Sequence, residues 1–126
     1  MASGADALGF NFFTGSTRYI SPEKAAEICA QVPAFVATVG LFVNEPIADV
    51  NRIIASLRLG LVQFHDDETP EYCAQIQACG ISVIKVFHMD ETFDLLYTKP
   101  YENCSDLFLF DLQCLVHHLV SLHCQI

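Results

Sequence analysis

A chain of 126 residues, 52% of them hydrophobic and with a mean hydropathy of +0.37, has the size of one domain and the composition of near-continuous buried strands. Its 15 acidic and 6 basic residues give a formal net charge of −9, which repels phosphate backbones and anionic lipid and argues against nucleic-acid or membrane partners. A small phosphate ester held by backbone amides is not excluded.

The first residues, Met1-Ala2-Ser3-Gly4-Ala5-Asp6, lack the basic and apolar regions of a signal peptide. No apolar run reaches the roughly 18 residues that span a bilayer. The next stretch, residues 7–13, is apolar and aromatic and predicts a buried strand, with Asn11 inside it and therefore not a site candidate. Ser21-Pro22-Glu23 is a helix start, with Ser at the cap and Pro at the first helical position; the helix should reach about Val32. Residues 37–43 predict a second strand, and 47–58 a helix with Val50, Ile53, Ile54 and Leu57 at helical spacing. Residues 61–65 predict a third strand. Thr69-Pro70-Glu71 opens a helix that should stop before Gly80. Ser82 to His88 predict a fourth strand, 91–102 a weaker helix interrupted near Pro100, and Asp106 to Asp111 a fifth strand. Residues 112–126 place Leu112, Leu115, Val116, Leu119, Val120 and Leu122 on one stripe, as an amphipathic helix would.

Strands alternating with helical connections imply α/β architecture with a parallel sheet. Periodicity does not separate an open doubly wound sheet from part of a closed barrel. In both, ligands sit where strands end and loops begin. That rule selects Arg18, Asn44, Glu45, Gln63, His65, Asp66, Asp67, Glu68, His88, Asp90 and Asp111. Asp111 after an apolar run reads either as a turn or cap residue or as a general acid. The acids Asp66 to Glu68 read as caps of the following helix sooner than as metal ligands, and His88 as a hydrogen-bonded strand-end histidine. His117 and His118, as neighbours on a helix, do not point the same way. The cysteines Cys29, Cys73, Cys79, Cys104, Cys114 and Cys124 form no C-x-x-C pair and read as reduced thiols of a cytoplasmic protein. No glycine-rich nucleotide loop and no G-x-S-x-G or H-E-x-x-H pattern occurs.

The strand-end residues resemble those of a known family. Gly4-Ala5-Asp6-Ala7-Leu8-Gly9-Phe10-Asn11-Phe12 followed by Ser16-Thr17-Arg18-Tyr19-Ile20-Ser21-Pro22 resembles a stretch of the phosphoribosylanthranilate isomerases. Val39-Gly40-Leu41-Phe42-Val43-Asn44, Leu61-Val62-Gln63-Phe64-His65-Asp66-Asp67-Glu68, Ile84-Lys85-Val86-Phe87 and Leu109-Phe110-Asp111 are similar to later stretches of that family, in order.

The resemblance implies a partial (β/α)₈ (TIM) barrel over residues 1–111, about strands two to six, and an unrelated tail over 112–126. It implies an Amadori rearrangement of a phosphoribosyl anthranilate, with no metal and no organic cofactor. Asp111 would be the general acid, Arg18 would face the anthranilate carboxylate, and Gln63 and His65 would line the substrate pocket. The family's general base is a cysteine in a K-I-C-G stretch ahead of the residues matched here, and no glycine for phosphate loops follows Gly80. Thr17 and Asp66 stand where the family often has proline and glycine. These departures imply that the 126 residues alone are inactive, and open sheet edges imply a tendency to self-associate. The alternative is a non-catalytic α/β binding or assembly module.

Overall fold

In the computed structural model, residues 4 and 6–112 are described; the expected helical tail, from residue 113 on, lies outside them. The elements are β1 (Ala7–Asn11), α1 (Pro22–Cys29), β2 (Ala37–Phe42), α2 (Ile47–Leu57), β3 (Leu61–Phe64), α3 (Pro70–Gln77), β4 (Ser82–His88), a 3₁₀ helix (Leu95–Tyr101) and β5 (Leu107–Asp111). The five strands form one sheet in the order β1-β2-β3-β4-β5, with all four pairings parallel. A doubly wound sheet reverses its order at a switch point, whereas this one advances one neighbour at a time, as a barrel wall does.

The helices begin where local chemistry tells them to. Ser21 Oγ accepts from Lys24 N at 3.2 Å and Thr69 Oγ1 from Tyr72 N at 3.2 Å, each ahead of a proline in the first turn. Each such cap contributes about 1 kcal/mol. α2 has no side-chain cap and ends on Arg58 in the left-handed region, φ 54°; the turn after α3 uses Gly80 at φ 91°, where the missing Cβ costs nothing.

Most expected elements are shorter than read; α1, expected to about Val32, ends at Cys29. The first strand stops at Asn11 because Asn11 Oδ1 takes the Phe13 amide at 2.9 Å and turns the chain off the sheet. The expected helix over 91–102 is instead a turn followed by the 3₁₀ segment. Asp90 Oδ1 accepts from Thr92 N at 2.8 Å, Asp94 Oδ1 accepts from Leu96 N at 2.9 Å, and Pro100 has no N–H for an α-helical bond.

Strand alternation divides the sheet into two faces. Phe10, Phe12, Phe42, Val62, Phe64 and Val83 face the helices, where they pack with Ala25, Val50, Ile53, Leu57, Cys73 and Ile76. The Phe12 and Phe42 rings stack at 5.3 Å, and Phe64 meets Tyr72 edge-on at 4.9 Å. Each fully buried side chain of this size contributes about 1.5–3 kcal/mol relative to exposure. Lys85 also points to this side and is 2% exposed. The opposite face carries Leu41, Gln63 and Leu109, and at its C-terminal edge His65, His88 and Asp111. Among the described residues no helix is long and apolar enough to cross a membrane.

Candidate functional site

At the C-terminal ends of the strands a cavity of about 400 Å³ opens. Arg18 and Ser16 of the β1–α1 loop, Leu41 and Val43 of β2 and its extension, His65 and Asp66 after β3, and His88 at the end of β4 line it. Asp111, fully buried, lies against the two imidazoles: its Oδ2 is 3.8 Å from His65 Nε2 and 3.5 Å from His88 Nδ1. The register explains the meeting, because β4 and β5 pair His88 with Asp111, and His65 enters from the neighbouring strand β3.

Hydrogen bonds fix both ring orientations. His88 Nε2 lies 2.7 Å from the His65 carbonyl oxygen, which can only accept, so this nitrogen carries the hydrogen. His65 Nδ1 lies 3.2 Å from Gln63 Oε1 and donates to it. The remaining nitrogen of each ring, His65 Nε2 and His88 Nδ1, is turned toward Asp111. Burial, and then the adjacent His88, hold the His65 imidazole below its ordinary value, which keeps that ring neutral at pH 7.

Of the residues expected from sequence, Arg18 and His65 share the cavity, and Asp111 touches His65. Gln63 is 1% exposed and is not among the cavity's lining residues; its carboxamide holds the His65 ring. Contrary to the expectation that they cap α3, the acids after β3 do not; Thr69 does. They tie two loops together instead. Glu68 accepts from Asn44 N at 2.7 Å and Asp66 N at 2.9 Å, while Asn44 bridges Asp66 Oδ2 at 2.8 Å and Asp67 N at 3.0 Å. This latch rests on Lys85, whose ammonium donates to Glu68 Oε1 at 3.2 Å and to the Asp66 carbonyl.

One site residue was set aside in the sequence reading. Asn11 lines the cavity, with Nδ2 donating to Ser16 Oγ at 3.2 Å. Its signal was a polar side chain in an apolar strand, in register with Leu41 and Gln63 on the same face. His88 is only half the satisfied histidine expected, since its Nδ1 makes no hydrogen bond. Candidate ligand atoms of His65, His88 and Asp111 all lie within 4.8 Å of one another, a spacing compatible with a metal ion.

Comparison with known proteins gives one family. A model described as N-(5'-phosphoribosyl)anthranilate (PRA) isomerase matches residues 1–118. The N-(5'-phosphoribosyl)anthranilate isomerase of Geobacter metallireducens is 48% identical over 105 residues, 83% of this chain and 50% of that protein. That of Herminiimonas arsenicoxydans is 44% identical over 113 residues, 86% of this chain and 50% of that protein. The crystal structure of the isomerase from Thermotoga maritima superposes with a TM-score of 0.79 at 37% identity, covering 88% of this chain and 54% of that one. Another phosphoribosylanthranilate isomerase, in complex with reduced 1-(o-carboxyphenylamino)-1-deoxyribulose 5-phosphate, gives a TM-score of 0.69 at 34% identity, covering 87% of this chain and 66% of that one. The chain spans about half the length of the curated relatives it matches. With the family model matched over most of its length, the sheet order of a barrel wall and relatives at these identities, the chain belongs to the phosphoribosylanthranilate isomerase family.

Proposed function

We propose that these residues form one side of an active site for the Amadori rearrangement of N-(5-phosphoribosyl)anthranilate, in which Asp111 is the general acid. The observation that carries this reading is the fully buried Asp111 carboxyl, packed against the two imidazoles that line the cavity. A carboxyl buried beside two imidazoles that line a cavity is placed to exchange a proton with a ligand there, as a general acid must.

In this reading Asp111 protonates the ribose ring oxygen, the ring opens to a Schiff base, and a base removes the proton from the adjacent sugar carbon. The enolamine then tautomerises to the ketone. Arg18, on the cavity wall, suits the anthranilate carboxylate, because a guanidinium offers two parallel N–H donors to a planar acid. His65 would contact the substrate, with Gln63 setting its ring. The outer edges of β1 and β5 pair with no further strand among the described residues; there the remaining strands of a barrel, or a second copy, would join. The cytoplasm, where the four described free cysteines would stay thiols, is the setting this reading carries.

Titration with the reduced product, that is, reduced 1-(o-carboxyphenylamino)-1-deoxyribulose 5-phosphate, tests the assignment. Saturable binding is expected, and Arg18→Ala should weaken it roughly 10- to 100-fold, the worth of a charge-assisted pair. Absence of binding, or equal affinity for the variant, would count against a substrate pocket and in favour of an assembly module. A second expectation concerns turnover. Cys29, Cys73, Cys79 and Cys104, the cysteines among the described residues, do not line the cavity, and the family's base is a cysteine. A polypeptide of these 126 residues alone should therefore fail to rescue a tryptophan auxotroph; growth would show that another group here serves as base.

A further inference from the structure

We propose that His65 Nε2, His88 Nδ1 and a carboxylate oxygen of Asp111 bind a divalent transition-metal cation of the zinc class, with a fourth position open to the cavity. The three residues stand at the C-terminal ends of adjacent strands, and their ligand atoms lie within 4.8 Å of one another. Metal–ligand bonds of about 2.0–2.1 Å in a tetrahedron put neighbouring ligand atoms about 3.3–3.4 Å apart. The observed separations of 3.8 and 3.5 Å from Asp111 Oδ2 to the two ring nitrogens need to close by only a few tenths of an ångström, while the two imidazole nitrogens, up to 4.8 Å apart, must swing together by about 1.4 Å around the ion.

The outer contacts point the same way. A ligating histidine donates its other ring N–H to an oxygen acceptor, which fixes the tautomer and turns the free lone pair inward. Both rings do so here, His65 Nδ1 to Gln63 Oε1 and His88 Nε2 to the His65 carbonyl. His88 Nδ1 is buried and makes no hydrogen bond, so a cation would supply the partner it lacks. Two imidazoles and one carboxylate suit zinc, copper, nickel and iron better than calcium or magnesium. A net charge of −9 and the Asp66 carboxylate on the cavity rim favour a cation. Arg18, on the same cavity, opposes it.

The consequence for turnover rests on the function proposed above: a bound cation would occupy the Asp111 carboxyl, so zinc would inhibit the isomerisation by displacing its proton. Metal binding itself does not depend on that reading, and the test keeps the two apart. Titration of the protein with Co²⁺, followed by its visible d–d absorption, should show one ion per chain, displaced by Zn²⁺, with no thiolate-to-metal charge-transfer band. His88→Gln should lower the affinity about 100-fold or more, beyond the loss typical of removing an outer partner alone, with the circular dichroism unchanged. Should that variant misfold, His65→Gln carries the same readout. No saturable cobalt binding, a thiolate band, or undiminished affinity in both variants would overturn the site. Cobalt binding without zinc inhibition in an active protein would leave the metal site standing and remove Asp111 as the acid.

Discussion

Asp111→Asn is expected to lower kcat by about 10²–10⁴, the worth of a positioned general acid, in a protein that joins these residues to the remaining strands of the barrel. The substitution keeps shape and volume but leaves an amide that delivers no proton to a ring oxygen. KM should change far less, because in the proposed reading the anthranilate end is bound by Arg18 on the cavity wall. The measurement is steady-state turnover of a chimera whose other strands come from a relative such as the Thermotoga maritima isomerase. Two controls separate acid catalysis from support. The variant should melt at nearly the parent temperature and bind the reduced product with nearly unchanged affinity. A loss shared equally between binding and stability would show that Asp111 merely orders His65 and His88. Unchanged kcat would remove it from the chemistry altogether.

Why the place of Asp111 in the cluster could be read from sequence while other parts of the site could not is a matter of range. Asp111 ends an apolar strand, Arg18 follows one, and His65 ends another, so a rule about strand ends finds all three. The helix starts at Pro22 and Pro70 were legible for the same reason, since cap, proline and first-turn acid are neighbours in the chain. Lys85 and Glu68 are not neighbours. They are 17 residues apart, on different elements, and nothing local to Ile84-Lys85-Val86 says that the ammonium turns toward the helices and not into the cavity. Asn11 was lost through the opposite error, in which a position inside a strand was equated with a position inside the core. Alternation puts every second residue of a barrel strand on the ligand side, and the register with Leu41 and Gln63 supplies the missing fact. The order of the sheet, too, is a pairing property that periodicity does not encode; the family motifs supplied it.

Lys85→Met should destabilise the fold by about 3–5 kcal/mol, a third or more of the stability of a typical domain. The reason is the partner it leaves behind. Glu68 is 3% exposed, and without the ammonium its carboxylate keeps only the amides of Asn44 and Asp66 to offset the loss of water. The loss reaches further, since Lys85 also donates to the Asp66 carbonyl and stands 5.4 Å from the Tyr101 ring. Lys24 and Glu27 form a pair of almost the same length, 3.3 Å against 3.2 Å, but with side chains 65% and 69% exposed. Water screens that pair, and Lys24→Met should leave the unfolding midpoint nearly unchanged. Distance is equal, so burial decides. Urea titration of both variants makes the comparison, with a lower midpoint and an unaltered slope expected for Lys85→Met alone. Because the latch on Lys85 holds the loop that carries Asp66 beside His65, the same variant should lose affinity for the reduced product before it unfolds. Equal midpoints for the two variants would mean that the buried attraction does no more than offset its own desolvation, and that the loops are held by the Asn44 contacts without it.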